Sequence, residues 1–153
     1  MAEKIRRPGW KPDFGECIPH PTAGVAAVGA RKPLIAFNIN LDTPDIRVAN
    51  AIAKAVRGSS GGLAYCKALG MMLHKRNIAQ VSMNLTDYES TPIYQVFEMV
   101  YTEAARHDTM IIGSELVGLA PARALIDCAE YFLRLEDFNI TQHVLENKLG
   151  ETL

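Results

Sequence analysis

Two stretches of alternating sequence decide the fold, LIAFNINL at residues 34–41 and AQVSMNLT at residues 79–86. In each stretch every second residue is apolar, which is the pattern of a β-strand that buries one face. Apolar residues at helical spacing follow each stretch, over residues 46–56 and 93–104. The alternation therefore predicts two strand–helix pairs.

The remaining elements complete the pattern. Thr43-Pro44 and Thr91-Pro92 predict N-caps followed by first-turn prolines for the two helices. Further strands are predicted over about 63–74 and 110–116, and further helices over 125–132 and 142–149. The order βαββαβ indicates an α+β, ferredoxin-like fold. We expect an antiparallel sheet with helices on one face, extra C-terminal helices, and adjacent first and third strands at the centre.

The chain of 153 residues is predicted to form a single domain, 1–153. Its first part, 1–33, contains five of the eight prolines and should be irregular. Ile18, Val25 and Val28 offer apolar side chains for burial and predict an ordered segment. The ferredoxin-like body is expected over 34–153.

Composition excludes several classes of function. A formal net charge of -1 is unlike the basic surface that nucleic acid requires, so no nucleic acid partner is expected. No run approaches 18 apolar residues, and residues 1–7 lack the apolar stretch of a signal peptide, so no membrane association is predicted. Cys17, Cys66 and Cys128 share no CxxC spacing, which favours reduced thiols and a cytoplasmic protein.

The face of the sheet opposite the helices carries an unusual set of side chains. Period 2 places Asn38 and Asn40 of one central strand, and Gln80, Ser82 and Asn84 of the other, on that face. Asparagine is depleted in strands. Each amide offers a donor and an acceptor, which suits a polar heterocycle or a substrate backbone. The alternative interpretation is a hydrated sheet face without a function.

Other motifs point to less. Gly24 and Gly29 have the spacing of a phosphate loop, but Ala30-Arg31 stands where Lys-Ser/Thr belongs. The four histidines are scattered without metal-ligand spacing, so no metal is expected. Glu115 lies in a mostly apolar strand, where a carboxylate either faces solvent or serves a specific role.

Four segments together resemble glutamate formimidoyltransferase, the formiminotransferase family. They are Pro12-Asp13-Phe14-Gly15, GARKPLIAFNINL at 29–41, AQVSMNL at 79–85 and GSELVGL at 113–119. The resemblance covers nearly the whole chain in order. It is limited to the C-terminal half of the family's transferase unit. Members of the family transfer a formimidoyl group from N-formimidoyl-glutamate to tetrahydrofolate in histidine degradation, and some relatives transfer a formyl group instead.

The resemblance implies two similar ferredoxin-like subdomains with substrates in a tunnel between them. It implies Glu115 in the active site and the family's catalytic histidine in an N-terminal subdomain, to which no segment here corresponds. It further implies a folate-contacting segment made of Gly15, Glu16, Cys17, Ile18, Pro19, His20, Pro21, Thr22, Ala23 and Gly24.

The expected function is therefore that of a folate-binding half, with tetrahydrofolate as co-substrate. Asn38, Asn40, Gln80 and Asn84 would supply donors and acceptors, and Arg31 or Lys67 could pair with the carboxylates of N-formimidoyl-glutamate or glutamate. The partner would be an N-terminal subdomain or a second copy. Three alternatives stay open. The first is a non-catalytic ferredoxin-like interaction module, and the second is a formyltransferase that uses 5-formyl-tetrahydrofolate and glutamate. The third is a homodimer that rebuilds the tunnel and uses His20 as the catalyst.

Overall fold

A computed structural model describes residues 4–150, so residues 1–3 and 151–153 of the predicted domain lie outside the described part. The chain forms two compact units, the first ending at Ala30 and the second beginning at Arg31. The first unit contains a 3₁₀ turn at Lys4–Arg6 and a β-bridge between His20 and Gly24. Ile18 and Val28 are 65% and 98% exposed, so their predicted burial is wrong. The many prolines and glycines prevent a regular element that could press these side chains against an apolar surface.

The second unit confirms the predicted α+β, ferredoxin-like fold. Its four-stranded sheet has the order β2-β3-β1-β4, and every neighbouring pair is antiparallel. The first and third strands are central, as the βαββαβ pattern requires. The elements are β1 (Ile35–Leu41), α1 (Ile46–Val56), β2 (Cys66–Leu73), β3 (Ile78–Leu85), α2 (Ile93–Arg106), β4 (Ile111–Val117), α3 (Ala122–Leu133), α4 (Ile140–His143) and α5 (Leu145–Gly150).

The core lies between one face of the sheet and the first two helices. Helix α1 packs on β2 and β3, α2 contacts β1, and α3 packs on α2. The buried side chains of the central strands are those predicted from the alternation: Ile35, Phe37, Ile39, Leu41, Ala79, Val81, Met83 and Leu85. The polar side chains between them are therefore placed on the opposite face.

Three local predictions are wrong. Helix α1 is capped by Asp45, whose carboxylate accepts a hydrogen bond from Arg47 N at 2.8 Å, while Thr43 Oγ1 instead accepts one from Asp45 N. The N-cap of α2 is Pro92, which has no side chain able to accept such a bond, and not Thr91. The single C-terminal helix is interrupted at Val144, whose backbone is extended between α4 and α5.

Helix α1 packs closely on strand β2 at Gly70. It is paired with Val81, which places it on the helix-facing side of the sheet. A Cβ at this position would lie 2.6 Å from Asn50 Oδ1 and 2.7 Å from Asn50 N. The absence of a side chain at Gly70 therefore allows α1 to pack against the strand.

We expect Gly70→Ala to lower the free energy of unfolding by about 1–3 kcal/mol, because the added methyl group overpacks this contact. Urea unfolding followed by circular dichroism measures the change. Gly29→Ala is the matched control, since no described atom lies within 4 Å of a Cβ there. Equal stability of the two variants would contradict the close packing of α1 on β2.

Within residues 4–150, no helix combines the length and the apolar character that crossing a bilayer requires.

Candidate functional site

The strand register brings the predicted polar residues together on one surface. Asn38 is paired with Ser82 and Asn40 with Gln80 across β1 and β3, and Asn38 is paired with Glu115 across β1 and β4. Directly opposed residues of neighbouring strands project from the same face of a sheet. We call this surface the polar face; it consists of Asn38, Asn40, Gln80, Ser82, Asn84 and Glu115.

Three of these side chains form a closed hydrogen-bond network. Gln80 Nε2 donates to Asn40 Oδ1 at 2.7 Å and to Glu115 Oε2 at 3.3 Å. Asn40 Nδ2 donates to Glu115 Oε1 at 3.1 Å. Asn40 and Gln80 are only 3% and 2% exposed, so these bonds satisfy polar groups that are withdrawn from water.

The carboxylate determines which way the two amides point. An ionised carboxylate accepts hydrogen bonds and cannot donate them, so both Asn40 and Gln80 must turn an NH₂ group toward Glu115. This orientation leaves Asn40 Oδ1 to accept the second bond from Gln80. The network therefore holds a negative charge with neutral donors at a defined place on the sheet.

Arg76 was not identified from the sequence pattern. It lies in the turn between β2 and β3, and its Nη1 is 3.6 Å from Glu115 Oε1. The side chains of Arg76 and Glu115 are 53% and 44% exposed, which makes this a solvent-accessible ion pair. A turn residue has no strand periodicity, so only the three-dimensional position of the turn reveals the contact.

Asn38 is the polar-face residue with an unsatisfied atom. Its Oδ1 is buried and accepts no hydrogen bond from any described residue. A buried acceptor without a donor is destabilising by about 1–3 kcal/mol. Asn38 is therefore an amide whose oxygen does not contribute to the stability of the sheet through a hydrogen bond within the described residues.

Apolar side chains lie beside the polar face. Leu69 is paired with Ser82 and Met71 with Gln80, so both project from the same side of the sheet as the amides. Val117, paired with Ala36, lies on this side at the opposite edge. All three are exposed, and Lys67, paired with Asn84, adds an exposed cation. The surface can therefore bind a ligand that has polar and apolar parts.

The predicted folate-contacting segment lies in the first unit and forms a tight loop. His20 and Gly24 exchange two backbone hydrogen bonds of 3.0 Å, and His20 Nδ1 accepts a bond from Ala23 N at 3.1 Å. A cavity of about 520 Å³ is lined within this unit by Phe14 and by several residues of the segment, among them Glu16 and Pro19. His20 Nδ1 is occupied by its own loop, which favours a structural role for this ring.

Other predicted and reactive groups lie elsewhere. Arg31 is exposed, and its Nη1 donates to the neighbouring Lys32 carbonyl. Cys66 faces the core, and burial raises the pKa of its thiol to about 11, which keeps it protonated near neutral pH. Burial is also the main reason that the pKa of the Cys128 thiol is raised. Among residues 4–150, no three His, Cys, Asp or Glu side chains are grouped so that they could hold a metal ion.

Comparison with known proteins gives a consistent result. The family model described as "Formiminotransferase domain" matches residues 36–149. A protein named glutamate formimidoyltransferase from Streptococcus pyogenes is 56% identical over 97% of this chain and 50% of its own length. A protein of the same name from Thermoplasma acidophilum is 44% identical over 97% of this chain and 48% of its own length.

A longer relative, named formimidoyltransferase-cyclodeaminase, from Gallus gallus is 39% identical over 97% of this chain and 28% of its own length. The chain therefore spans about half the length of the two proteins named glutamate formimidoyltransferase, and a smaller share of the longer one.

Proposed function

Because the chain belongs to the formiminotransferase domain family, we propose that it is the folate-binding half of a transferase that moves a formimidoyl group between N-formimidoyl-glutamate and tetrahydrofolate. The observation that carries the proposal is the polar face, where amides and one carboxylate meet on a sheet surface beside exposed apolar side chains. A folate combines a polar pterin edge with an apolar ring surface, so it suits such a mixed site. We place this reaction in the cytoplasm.

The reaction joins an amine of tetrahydrofolate to the formimidoyl carbon. The bond between that carbon and the glutamate nitrogen then breaks, and the departing nitrogen takes up a proton. The step needs a general acid/base and stabilisation of a charged tetrahedral intermediate. We assign binding and orientation to this chain and proton transfer to a histidine of a second, N-terminal subdomain.

Most of the predicted site residues have a role in this proposal. Asn38 and Asn84 provide hydrogen bonds to the bound ligands, and Asn40 and Gln80 hold Glu115 at the active site. Lys67 is a better candidate than Arg31 for pairing with a substrate carboxylate, because its pairing with Asn84 puts it on the same side of the sheet as the polar face. Residues 15–24 contribute folate contacts, with a backbone loop and the cavity of the first unit in support.

Calorimetric titration of the chain with a stable reduced folate tests the proposal. We expect saturable binding that Asn38→Leu weakens about tenfold or more, because an amide of the polar face that can form hydrogen bonds with a ligand is lost. The same substitution should leave urea stability equal or higher, since Oδ1 has no partner in residues 4–150. Asn147→Leu, in α5, is the control for binding; it also removes the hydrogen bond that Asn147 Nδ2 donates to Ile140 O. A folded chain that binds no reduced folate would contradict the proposal.

A second candidate, a non-catalytic interaction module, is supported by the exposed Leu69, Met71 and Val117. Apolar groups of this kind are common where another protein surface docks. This candidate predicts that Asn38→Leu leaves association with a partner intact and that reduced folates do not bind. The titration above therefore separates the two functions.

A further inference from the structure

We infer that Glu115 selects the group to be transferred, by binding the positively charged formimidoyl group of N-formimidoyl-glutamate in preference to a neutral formyl group. The inference rests on the proposed function and adds a specificity determinant to it. It follows from three observations. The Glu115 carboxylate accepts two hydrogen bonds, the donors Asn40 and Gln80 are uncharged, and the Arg76 guanidinium lies beside the carboxylate.

The two groups differ in what they present to a protein. A formimidoyl group attached to an amine is an amidine, which is protonated near neutral pH and presents N–H donors from both nitrogens of a planar cation. A formyl group attached to the same amine is an uncharged amide whose oxygen is an acceptor. A carboxylate matches a planar fork of N–H donors with two oxygens, as in pairs between arginine and carboxylate.

Glu115 is prepared for such a ligand. Each of its oxygens accepts one hydrogen bond from the network, Oε1 from Asn40 and Oε2 from Gln80. A carboxylate has about four acceptor positions, so both oxygens can accept a further N–H. The side chain is 44% exposed, which leaves its outer side accessible.

The supporting amides preserve the charge of the site. Asn40 and Gln80 orient the carboxylate but carry no charge of their own. A lysine or arginine in their place would neutralise Glu115 from within the sheet and weaken its attraction for a cationic ligand. The buried side of Glu115 therefore fixes its position, while its negative charge remains directed to the exposed side.

Arg76 shows that the exposed side accepts this type of cation. Its guanidinium, a planar amidine-type group, is the charged side chain next to Glu115 Oε1. The distance of 3.6 Å is longer than a hydrogen bond, and the pair is accessible to solvent, so the ion pair is weak. A ligand amidinium that forms two direct hydrogen bonds can displace it.

Two ligands of matched shape test the inference on the full chain. Calorimetric titration compares N-formimidoyl-L-glutamate with N-formyl-L-glutamate, which differ in the charged and the neutral group. We expect the wild-type chain to bind the formimidoyl compound about tenfold more tightly or better, because hydrogen bonds to a charged acceptor are the stronger ones. Glu115→Gln should bring the ratio of the two affinities close to one.

Glu136→Gln is the control, because Glu136 is an exposed carboxylate in the segment between α3 and α4 and lies on no strand. It should leave the ratio of affinities unchanged, and urea unfolding verifies that Glu115→Gln is folded. Equal binding of both ligands by the wild-type chain, no binding of either by folded protein, or an unchanged ratio in Glu115→Gln would overturn the inference.

The reduced-folate titration reports on the proposed function independently. Loss of selectivity in Glu115→Gln with folate binding retained supports both conclusions. A chain that binds folate but does not distinguish the two glutamate derivatives contradicts only the role of Glu115. A chain that distinguishes them but binds no folate contradicts only the folate-binding function.

Discussion

Replacing Ile39 by alanine is expected to lower the free energy of unfolding by about 2–5 kcal/mol. Ile39 is fully buried in β1, a central strand, and belongs to the core that α1 and α2 cover. Removal of the Ile39 side chain beyond Cβ leaves a cavity. Strand β1 cannot move to close it, because β1 is hydrogen-bonded to β3 on one side and to β4 on the other. Urea unfolding with two spectroscopic probes measures the loss.

The matched control for Ile39→Ala is Leu119→Ala. Leu119 is 94% exposed, and we expect a change within about 0.5 kcal/mol at that position. A loss below 1 kcal/mol for Ile39→Ala would contradict the placement of β1 at the centre of the sheet.

Replacing Gln80 by methionine is expected to lower both stability and ligand selectivity. Methionine keeps the length of the side chain but donates no hydrogen bond, so Asn40 Oδ1 and Glu115 Oε2 each lose a donor. The buried Asn40 oxygen then lacks a partner, which we expect to reduce the free energy of unfolding by about 1–3 kcal/mol. With Glu115 less firmly held, we expect the preference for N-formimidoyl-L-glutamate to fall severalfold.

Gln95→Met in α2 removes the same amide from an exposed position and should change neither property. Urea unfolding and the paired titrations measure the two effects of Gln80→Met separately. A Gln80→Met variant with unchanged stability and unchanged selectivity would show that the network neither supports the sheet nor positions Glu115.

The fold could be predicted from period-2 alternation together with the βαββαβ order of the elements, because the alternation identifies the buried face of each central strand. The limits of β3 and α1 follow closely from that pattern. The helix caps could not be predicted in the same way. Thr43 and Asp45 are both residues that cap helices, and the choice depends on the backbone dihedral angles of the turn, where Asp45 is extended and Ile46 begins the helix.

The candidate site could also be predicted in part. Alternation alone assigns Asn38, Asn40, Gln80 and Asn84 to one face, and the register confirms that placement. The position of Glu115 opposite Asn38 depends on how β4 is aligned with β1, including a register shift after Asn40 that no local pattern encodes. The contact between Arg76 and Glu115 depends on the same alignment and on the path of the turn between β2 and β3.

The hydrogen-bond network of the polar face joins three strands, so it is complete only when β1, β3 and β4 are all paired. Gln80 is 40 residues from Asn40 and 35 from Glu115 along the chain, so the network is made of non-local contacts. Contacts of this kind form only after the entropy of closing long loops has been lost, and they slow folding. A folding intermediate with β1 and β3 paired but β4 not yet docked would have the central amides and no positioned carboxylate. The selectivity proposed for Glu115 therefore requires β4 to be paired with β1.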